Sequence, residues 1–486
     1  MLPNKRLLSS TALLSLFMAV ACSTQENPGT QPTNEVVLKN QSVTPALAKA
    51  MPGVNNVEIF SLVGSDDKLD QSPNYVFGGS ADGAGMLKNA DGTYTLLVNH
   101  EDNFAVSRIT LDKTFKPVKG EYILNSDGGV WRLCSATMAT QEEHGFGPLY
   151  LTCGESGQES RTHGVNPFGD VGTASVSKEI AGLGRWSAEN AVPLPKQAYT
   201  GKTAILIGDD DSDVNGGQLA LYLSNTVGDL DNGSLYMLKR TDGNQREMDM
   251  KVGAKFPVEF VKVDNHKTLT GAQINGKVND LKAIKFGRVE DIDYRKKSTG
   301  REVYFNVTGQ ANSGPNADYS RSKYGRVYRL TMDAADPLKA TLEVVLDGDD
   351  RAGIAKTFQN VDNIVVTENY LYTQEDPNSY GDETHDSYIY QLNLKTNEFK
   401  PVLELDHRRT ASDAAKYNVG GSSRFGTWEY GAMIDVSDQL GLTDTFIIAV
   451  QPHTWRGDKY KAVDGGTKRP DENQASQLIV VKGLPR

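Results

Sequence analysis

"EVYFNVTG" (residues 302–309) has the side-chain pattern that decides the fold class. Val303, Phe305 and Val307 are apolar, and they alternate with Glu302, Tyr304 and Asn306. A period of two is typical of a β-strand that buries one face. We therefore predict a half-buried strand at this position.

Short apolar runs of the same kind recur along the chain, with turn residues between them. They are "TYTLLVNHE" (93–101), "TAILIGDD" (203–210), "IVVTENYLYTQED" (364–376), "SYIYQLNL" (387–394), "TFIIAVQPH" (445–453) and "SQLIVV" (476–481). Amphipathic patterns of three helical turns are scarce, and segments 154–200 and 310–324 are expected to be loops between blades. The pattern predicts an all-β, closed architecture, and a β-propeller with irregular loop insertions is the natural candidate.

A propeller gathers its innermost strands around one axis, so polar residues that are distant in sequence are expected to meet there. Internal similarity is weak. "NGSLYMLKR" (232–240) and "YGRVYRLTM" (324–332) share a shape, but they do not define a sequence period.

The N-terminal segment has the features of an export signal. Lys5 and Arg6 precede the apolar run "LLSSTALLSLFMAVA", which is too short to span a membrane. The run ends in small residues followed by Cys22, and this ending resembles a bacterial lipobox. We predict that residues 1–21 are a lipoprotein signal peptide and that Cys22 carries the lipid. The alternative is ordinary cleavage near Ala21, which would leave a free thiol.

Residues 22–35 are polar and rich in Pro, Gly, Ser and Thr, which predicts a flexible tether. The folded propeller domain is then expected over residues 36–486. This organisation predicts an exported lipoprotein that is anchored to a membrane through Cys22, in the periplasm or at the cell surface.

The chain is acidic, with a formal net charge of −11. It has no basic stripe, which argues against a nucleic-acid partner. An acidic protein repels a phosphate ester at long range, unless bound cations reverse the local charge. A function that involves phosphate would therefore require metal ions.

Carboxylates concentrate at the ends of the strand-like runs, next to turns. The clusters are "NHED" (99–102), "GDDDSDVNGG" (208–217), "GRVEDID" (287–293), "VDN" (361–363) and "TQEDPN" (373–378). Carboxylate oxygens suit Ca²⁺, and a thiolate among carboxylates suits a transition metal such as iron. The seven histidines are isolated and have no zinc-binding spacing, and no G-x-S-x-G motif is present. Zinc and serine-nucleophile chemistry are therefore disfavoured.

The segment "DSDVNG" (211–216) matches the first six positions of a calcium-binding loop. The twelfth position is Tyr222 rather than Glu, so the segment is not an EF-hand. Two interpretations stay open: a calcium-binding turn on a β scaffold, or an Asp-rich surface turn with side-chain-to-backbone hydrogen bonds.

Cys134 and Cys153 also leave two interpretations open. An oxidising compartment would permit a disulfide between them. Alternatively, at least one of the two sulfur atoms binds a metal.

Eight short motifs resemble, in the same order, those of the PhoX-type bacterial alkaline phosphatases. They are "LVNHED" (97–102), "GFGPLYLTCGES" (145–156), "LGRWSAENAV" (183–192), "IGDD" (207–210), "FGRVEDI" (286–292), "NVDNIVV" (360–366), "WEYGAMIDVSD" (428–438) and "FIIAVQPHTW" (446–455). Each motif is weak alone, and their shared order across most of the folded domain makes the resemblance specific.

The resemblance implies a six-bladed propeller and a phosphomonoesterase that holds two Fe³⁺ ions together with Ca²⁺. It implies that Cys134 is the iron thiolate and that Cys153 is a packing residue in the strand that leads to Glu155. Arg288 would contact the phosphate. The implied metal ligands and residues near the metals are Cys134, Glu155, Glu189, Glu290, Asn99, Glu101, Asp209 and Asp210. The implied residues around them, or at the substrate, are His100, Glu429 and His453.

The predicted function is metal-dependent hydrolysis of phosphate monoesters. The partners would be a small phosphorylated substrate and the membrane that holds the lipid at Cys22, and the protein would be a monomer. One alternative is a non-catalytic, calcium-stabilised propeller lipoprotein that binds a glycan or a protein. Another is a propeller hydrolase with phytase-like or phosphodiesterase-like activity.

Overall fold

Antiparallel β-strands are the main regular secondary structure of the described chain, which confirms the all-β prediction. The computed structural model describes residues 36–421 and 424–486. The predicted signal peptide, the tether and the lipidation site at Cys22 lie outside the described residues.

The strands are numbered in chain order. The first group is β1 (Ala48–Ala50), β2 (Glu58–Gly64), β3 (Ala81–Lys88), β4 (Tyr94–His100), β5 (Ala105–Leu111), β6 (Pro117–Leu124), β7 (Leu133–Ala139), β8 (Leu149–Gly154) and β9 (Thr162–Val165). The second is β10 (Ala188–Pro193), β11 (Thr203–Asp209), β12 (Gln218–Ser224), β13 (Ser234–Arg240), β14 (Lys255–Val263), β15 (Val289–Tyr294), β16 (Glu302–Val307), β17 (Arg326–Met332) and β18 (Lys339–Asp347). The third is β19 (Val361–Val366), β20 (Tyr370–Glu375), β21 (Tyr388–Asn393), β22 (Phe399–Leu405), β23 (Glu429–Asp435), β24 (Thr445–Gln451) and β25 (Gln477–Lys482).

Within the described residues, these strands form five sheets. Their strand orders are β3-β4-β5-β6, β7-β8-β9, β10-β11-β12-β13-β14-β18-β17-β16-β15, β1-β22-β21-β20-β19 and β2-β25-β24-β23. Each group of sequential strands pairs antiparallel with its neighbours, as in the blades of a propeller.

Six strands form a closed ring at the centre. β3 contacts β7, β7 contacts β10, β10 contacts β15, β15 contacts β19, β19 contacts β23, and β23 contacts β3 again. We call them the inner strands. The arrangement is propeller-like, as predicted, but it does not divide into six separate sheets. The long strand β14 pairs with both β13 and β18 and so joins two groups of strands into one sheet.

The last sheet contains strands from both ends of the described chain. β2 pairs with β25, and the register runs from Glu58 opposite Lys482 to Gly64 opposite Gln477. This pairing closes the ring of sheets.

Helices are few and short. The α-helices are α1 (Ser126–Gly129), α2 (Gly271–Leu281), α3 (Ala414–Tyr417) and α4 (Ser437–Leu440), and the 3₁₀ turns are Val171–Thr173, Ala181–Leu183, Glu247–Asp249, Gly314–Asn316 and Asp458–Tyr460. Only α2 reaches three turns, and the Thr270 and Gln273 side chains cap its N-terminus reciprocally. In the described part of the chain, no helix has the length and apolar character to cross a membrane.

The strand at 302–307 is buried on both faces, so the prediction of a half-buried strand is wrong in this respect. Phe305 and Val307 lie in one hydrophobic cluster with Ile292, while Tyr304 packs into the neighbouring cluster. Asn306 is fully buried, and its amide donates to the carbonyl oxygens of Asp362 and Asn363. Both faces are covered because each group of strands packs between its two neighbours.

The prediction for segment 154–200 is also wrong in part, because the segment contains β9 and the inner strand β10. β10 has the sequence "AENAVP", and its Glu189 and Asn190 interrupt the apolar pattern that identifies a strand. Segment 310–324 has no strand, as predicted, and holds only the turn at Gly314–Asn316.

Candidate metal centre

The six inner strands share one irregularity. In each of them, the pairing with the second strand of the group skips two residues near the start. The skipped pairs are Asp82-Gly83 in β3, Cys134-Ser135 in β7, Glu189-Asn190 in β10, Glu290-Asp291 in β15, Asp362-Asn363 in β19 and Gly431-Ala432 in β23. A bulge of this kind bends the strand and redirects a side chain. In five of the six strands, the first skipped residue is Asp, Glu or Cys.

The second strand of each group adds another polar position at the same level. On each inner strand, the residue just before the two skipped residues pairs with a residue of the second strand. The next residue along the second strand is polar in all six groups. These residues are Glu101, Glu155, Asp210, Thr308, Asp376 and Gln451. The fold therefore builds two rings of polar side chains around one axis, one ring from the inner strands and one from their partners.

Most of these side chains line a cavity of ≈ 250 Å³ at the centre of the ring. We call it the inner cavity. Its lining consists of Asp82, Glu101, Asp102, Arg132, Cys134, Glu155, Glu189, Arg288, Glu290, Asp362, Asn363, Asp376, Glu429, Tyr430, Gln451 and His453. Nine of these sixteen residues are carboxylic acids and two are arginines, so the cavity has a large excess of potential negative charge.

Three overlapping groups of potential metal ligands lie in the inner cavity. In each group, the ligand atoms all lie within 4.8 Å of one another. The groups are Asp82–Glu101–Cys134, Cys134–Glu155–Glu189 and Glu189–Glu290–Asp362. The two groups that share Cys134 combine sulfur with oxygen and suit a transition metal, whereas the third offers only oxygen and suits Ca²⁺.

Burial and mutual repulsion strongly disfavour ionisation of these acids. Desolvation, followed by the charges of neighbouring carboxylates, raises the pKa of Glu189 and Glu290 well above the ordinary value. The same causes raise the pKa of Glu101 to about 7, although Arg132 opposes the shift. Burial also raises the pKa of the Cys134 thiol, with Glu155 as the next contributor. A bound cation would remove this repulsion, because it favours the ionised form of each ligand.

Two buried oxygen atoms also fit a cation. Asp82 Oδ1 and Asp362 Oδ1 have no hydrogen-bond partner among the described residues, and each of the two acids belongs to one of the three ligand groups. A buried carboxylate oxygen without a partner is costly unless it coordinates a metal. The donor set and these unpartnered atoms together fit a centre of several cations.

The two cysteines have different environments. Both are free and buried, so the predicted alternative of a disulfide is not present in the structure. Cys134 Sγ lies in the inner cavity, 3.1 Å from Glu155 Oε2. Cys153 lies in β8 and packs in a hydrophobic cluster, with its sulfur 3.3 Å from the Thr162 hydroxyl oxygen.

Arg288 lies at the edge of the inner cavity with an uncommon backbone conformation, φ 73°. Its Nε and Nη2 atoms form a bidentate ion pair with Asp210 at 2.6 and 2.9 Å, and Nη2 is 3.3 Å from Glu290. Its Nη1 donates to Asn378 Oδ1 at 2.7 Å. These contacts with three side chains hold the guanidinium in one orientation. The positive φ is strained for a residue with a side chain, and such strain concentrates at functional sites.

A second, wider cavity of ≈ 660 Å³ adjoins the first. We call it the outer pocket. Arg288 lines both cavities and stands at the junction between them. Asp210, predicted to lie near the metals, faces the outer pocket, where Arg288 outweighs burial and holds the pKa of this carboxyl below the usual value.

Eight of the predicted site residues line the inner cavity: Cys134, Glu155, Glu189, Glu290, Glu101, Arg288, Glu429 and His453. His453 Nε2 lies 3.3 Å from Glu429 Oε2 at the edge of the cavity.

The side chains of three other predicted site residues lie in neither cavity. Asn99 lies behind the cavity wall, where its amide donates to the Cys134 carbonyl oxygen and accepts from the Tyr150 hydroxyl at 3.0 Å. His100 is fully buried between aromatic rings, with Nε2 2.8 Å from Ser107 Oγ. Asp209 is buried and lines neither cavity. Side chains alternate along a strand, so neighbours of a ligand point away from it.

Sequence reasoning did not assign Asp82, Asp362, Asp376 and Gln451 to the site. The signal that could have identified Asp82 and Asp362 is the repeated pattern of an apolar residue, two polar or small residues, and a second apolar residue. It occurs as "ADGA" (81–84), "LCSA" (133–136), "AENA" (188–191), "VEDI" (289–292), "VDNI" (361–364) and "YGAM" (430–433). Four residues are too few to define a repeat until strand pairing aligns the six copies.

The turn at "DSDVNG" makes internal hydrogen bonds. Asp211 Oδ2 accepts from Gln158 Nε2 at 2.6 Å and from Asn275 Nδ2 at 3.1 Å. Asp211 Oδ1 and Asp213 Oδ1 accept from backbone N–H groups two residues ahead. Among the described residues, neither acid belongs to a close group of three or more Asp, Glu, His or Cys side chains. The arrangement matches the Asp-rich turn rather than the calcium-binding one.

The fold and the inner cavity define an all-β, propeller-like protein with an acidic central site suited to cations. Among solved structures, the chain is similar to PhoX of Pseudomonas fluorescens in complex with vanadate, a transition state analogue. The TM-score is 0.60, and the alignment covers 92% of this chain and 98% of PhoX at 14% sequence identity. The resemblance predicted from the motifs is thus confirmed at the level of the fold.

Two further similarities are more distant. The α-L-arabinofuranosidase Arb93A of Fusarium graminearum aligns with a TM-score of 0.38 and 10% identity over 87% of this chain and 97% of that protein. The α-L-arabinofuranosidase PaAbf62A of Podospora anserina aligns with a TM-score of 0.32 and 10% identity over 71% and 93%. These scores are too low to support an inference about function. No protein-family profile and no curated protein sequence matches the chain.

Proposed function

We propose that the protein is a metal-dependent hydrolase of phosphate monoesters, built as a six-bladed propeller. The observation that carries the proposal is the set of three overlapping ligand groups beside a fixed arginine. The shared irregularity of six inner strands supports the division into six blades, with the nine-stranded sheet counted as two. The fold shared with PhoX supports the same activity.

The residues present fit both iron and calcium. Cys134 belongs to two groups and would ligate iron, together with Glu155, Glu189 and the Asp82–Glu101 pair. Glu189, Glu290 and Asp362 would hold Ca²⁺ through oxygen alone. When bound, these cations would polarise the phosphoryl oxygens and lower the pKa of an adjacent water molecule.

The protein's own residues supply orientation and charge balance. Three of the five N–H groups of Arg288 donate to Asp210 and Asn378, and Nη2 also lies 3.3 Å from Glu290 Oε1. The two remaining N–H groups are available to a phosphoryl oxygen. Arg132, 3.3 Å from both Glu101 and Asp102, brings a second positive charge to the lining of the cavity. In the reaction, water adds to phosphorus, the ester P–O bond breaks, and the alcohol leaves with the proton of the water.

Cation removal tests the proposal directly. Chelation of protein loaded with Fe³⁺ and Ca²⁺ is expected to abolish hydrolysis of p-nitrophenyl phosphate and to lower Tm by on the order of 10 °C. The expectation follows because each tightly bound cation contributes about 3–4 kcal/mol to the folded state. The phosphatase assay and calorimetry measure the two effects, and elemental analysis confirms that the cations have been removed. Bis(p-nitrophenyl) phosphate serves as the diester control. Purified protein that retains neither Fe nor Ca after incubation with both metals, and that hydrolyses neither ester, would refute the proposal.

The two cysteines provide a matched pair of variants. Cys134→Ser is expected to lose iron and activity with little change in the stability of the metal-free protein. Cys153→Ala is expected to keep its metal content and to lose about 1–2 kcal/mol of stability, because it leaves a small cavity in the core. Iron content and urea unfolding distinguish the two. Equal iron content in both variants would exclude Cys134 as a ligand.

Export and lipidation at Cys22 belong to the proposal as well. The basic residues, the apolar run and the small residues before Cys22 are the observations that support it. In a bacterial host, labelled fatty acid is expected to be incorporated into the full chain and not into Cys22→Ala. Equal labelling of the two proteins would contradict lipidation at this residue.

A further inference from the structure

The outer pocket is lined mainly by neutral groups that form hydrogen bonds. The lining residues are Gly157, Gln158, Ser187, Asp210, Asp211, Ser212, Arg288, Gln310, Ala311, Asn378 and Tyr380. The volume of ≈ 660 Å³ lies within the range of about 300–1,000 Å³ that is usual for sites of small ligands. Because Arg288 also lines the inner cavity, a phosphoryl group held beside the cations would direct the rest of its ester into this pocket.

The charges in the outer pocket disfavour a second anion. Among the described residues that line it, Arg288 is the only cation, and Asp210 already pairs with that guanidinium in a bidentate contact. Asp211 adds a further carboxylate. Lys323 stacks over the Tyr380 ring, but its ammonium group donates to the Tyr324 hydroxyl and to Asp382. A second phosphate would therefore meet carboxylates without a free positive charge.

The neutral groups have the chemistry of a site for hydroxyl groups. The hydroxyl and amide side chains of Ser187, Ser212 and Gln158 line the pocket. The Tyr380 ring lines the pocket as well. An aromatic ring beside polar groups also suits the C–H face of a sugar ring.

We propose that the outer pocket binds the alcohol portion of the substrate, and that this portion is an uncharged sugar or polyol without a second phosphate. The inference rests on the proposed phosphomonoesterase function, because it takes the inner cavity as the position of the phosphoryl group. Two physical causes favour a sugar monophosphate over a sugar bisphosphate in this pocket. Hydroxyl groups satisfy the polar lining, and the carboxylates repel further phosphate.

A matched pair of substrates tests the selection. Fructose 6-phosphate and fructose 1,6-bisphosphate share a sugar and differ by one phosphate. The metal-loaded protein is expected to hydrolyse the monophosphate with a kcat/KM about ten-fold or more above that of the bisphosphate. Equal values, or a preference for the bisphosphate, would overturn the inference.

A tyrosine variant tests the sugar contact. In Tyr380→Ala, the ratio of kcat/KM for fructose 6-phosphate to that for methyl phosphate is expected to fall about ten-fold, because methyl phosphate is too small to contact the ring. Tyr319→Ala is the matched control, since Tyr319 is 61% exposed and does not line the pocket. An unchanged ratio in Tyr380→Ala would overturn the inference.

A binding measurement separates this inference from the proposed function. Saturation-transfer NMR with fructose 6-phosphate is expected to show contact of the sugar protons with the wild-type protein, and loss of that contact in Tyr380→Ala. Binding without hydrolysis of any ester would support the pocket and refute the phosphatase function. Hydrolysis of p-nitrophenyl phosphate without sugar binding would support the phosphatase function and refute the pocket.

Discussion

Glu189→Gln is expected to abolish phosphatase activity and, at the same time, to stabilise the metal-free protein. Glu189 belongs to two of the three ligand groups, so its loss disturbs both the sulfur-containing and the oxygen-only positions. We expect kcat to fall by at least about three orders of magnitude, or about 4 kcal/mol of transition-state stabilisation. Bound Fe and Ca should fall in the same variant.

The expected gain in stability has a different origin. Burial, followed by the charges of Asp362, Asp82 and Glu155, disfavours the ionised form of Glu189 in the absence of cations. Glutamine removes that charge and keeps an acceptor for the Ser135 N–H, which now donates to Glu189 Oε1 at 3.1 Å. We expect the free energy of unfolding of the metal-free protein to rise by about 1–3 kcal/mol.

Phosphatase kinetics, elemental analysis and urea unfolding without metal measure these effects together. Glu398→Gln is the matched control, because the Glu398 side chain is exposed and pairs only with Lys400 at the surface. A Glu189→Gln protein that keeps wild-type activity would contradict the proposed centre. A metal-free variant less stable than the metal-free wild type would contradict the account of repulsion.

Arg288→Ala is expected to lower kcat/KM by about two to three orders of magnitude, or about 3–4 kcal/mol, as for the loss of a single oriented donor to a developing anion. Arg288→Lys keeps the charge without the planar fork and should recover only part of the loss. Arg246→Ala removes an exposed guanidinium that pairs with Asp318 and should leave activity unchanged.

The double variant Arg288→Ala/Asp210→Asn separates catalysis from structure. Removal of Arg288 alone leaves the Asp210 carboxylate buried without its bidentate partner, so the single variant should lose stability. Asp210→Asn should restore stability to the double variant without restoring activity. Recovery of activity in the double variant would show that Arg288 acts only through the position of Asp210.

Strands could be predicted from sequence where apolar residues formed a local pattern. "EVYFNVTG" identified β16, but the burial of Tyr304 and Asn306 depends on contact between neighbouring groups of strands, which no local pattern encodes. β10 was missed because Glu189 and Asn190 break its apolar run. Polar residues such as Glu189 make an inner strand look like a loop in the sequence, and the same residues are the candidate metal ligands.

Site residues could be predicted in part for a similar reason. Cys134, Glu155, Glu189 and Glu290 were identified through their motifs, and all four line the inner cavity. Asp82 was missed because "ADGA" has two small apolar residues and a glycine around a single acid. His100 was included because of its motif, and the structure places its side chain outside both cavities, because side chains alternate along a strand.

The pairing of β2 with β25 sets the order in which the molecule can be completed. All five ligand-bearing inner strands are synthesised before residues 477–482, which supply the partner of β2. All the candidate ligands therefore leave a ribosome or a translocation channel before the strand β25 that closes the ring of sheets. Loss of residues 477–486, by premature termination or by a carboxypeptidase, would leave a complete set of ligands on a molecule in which β2 has no partner strand.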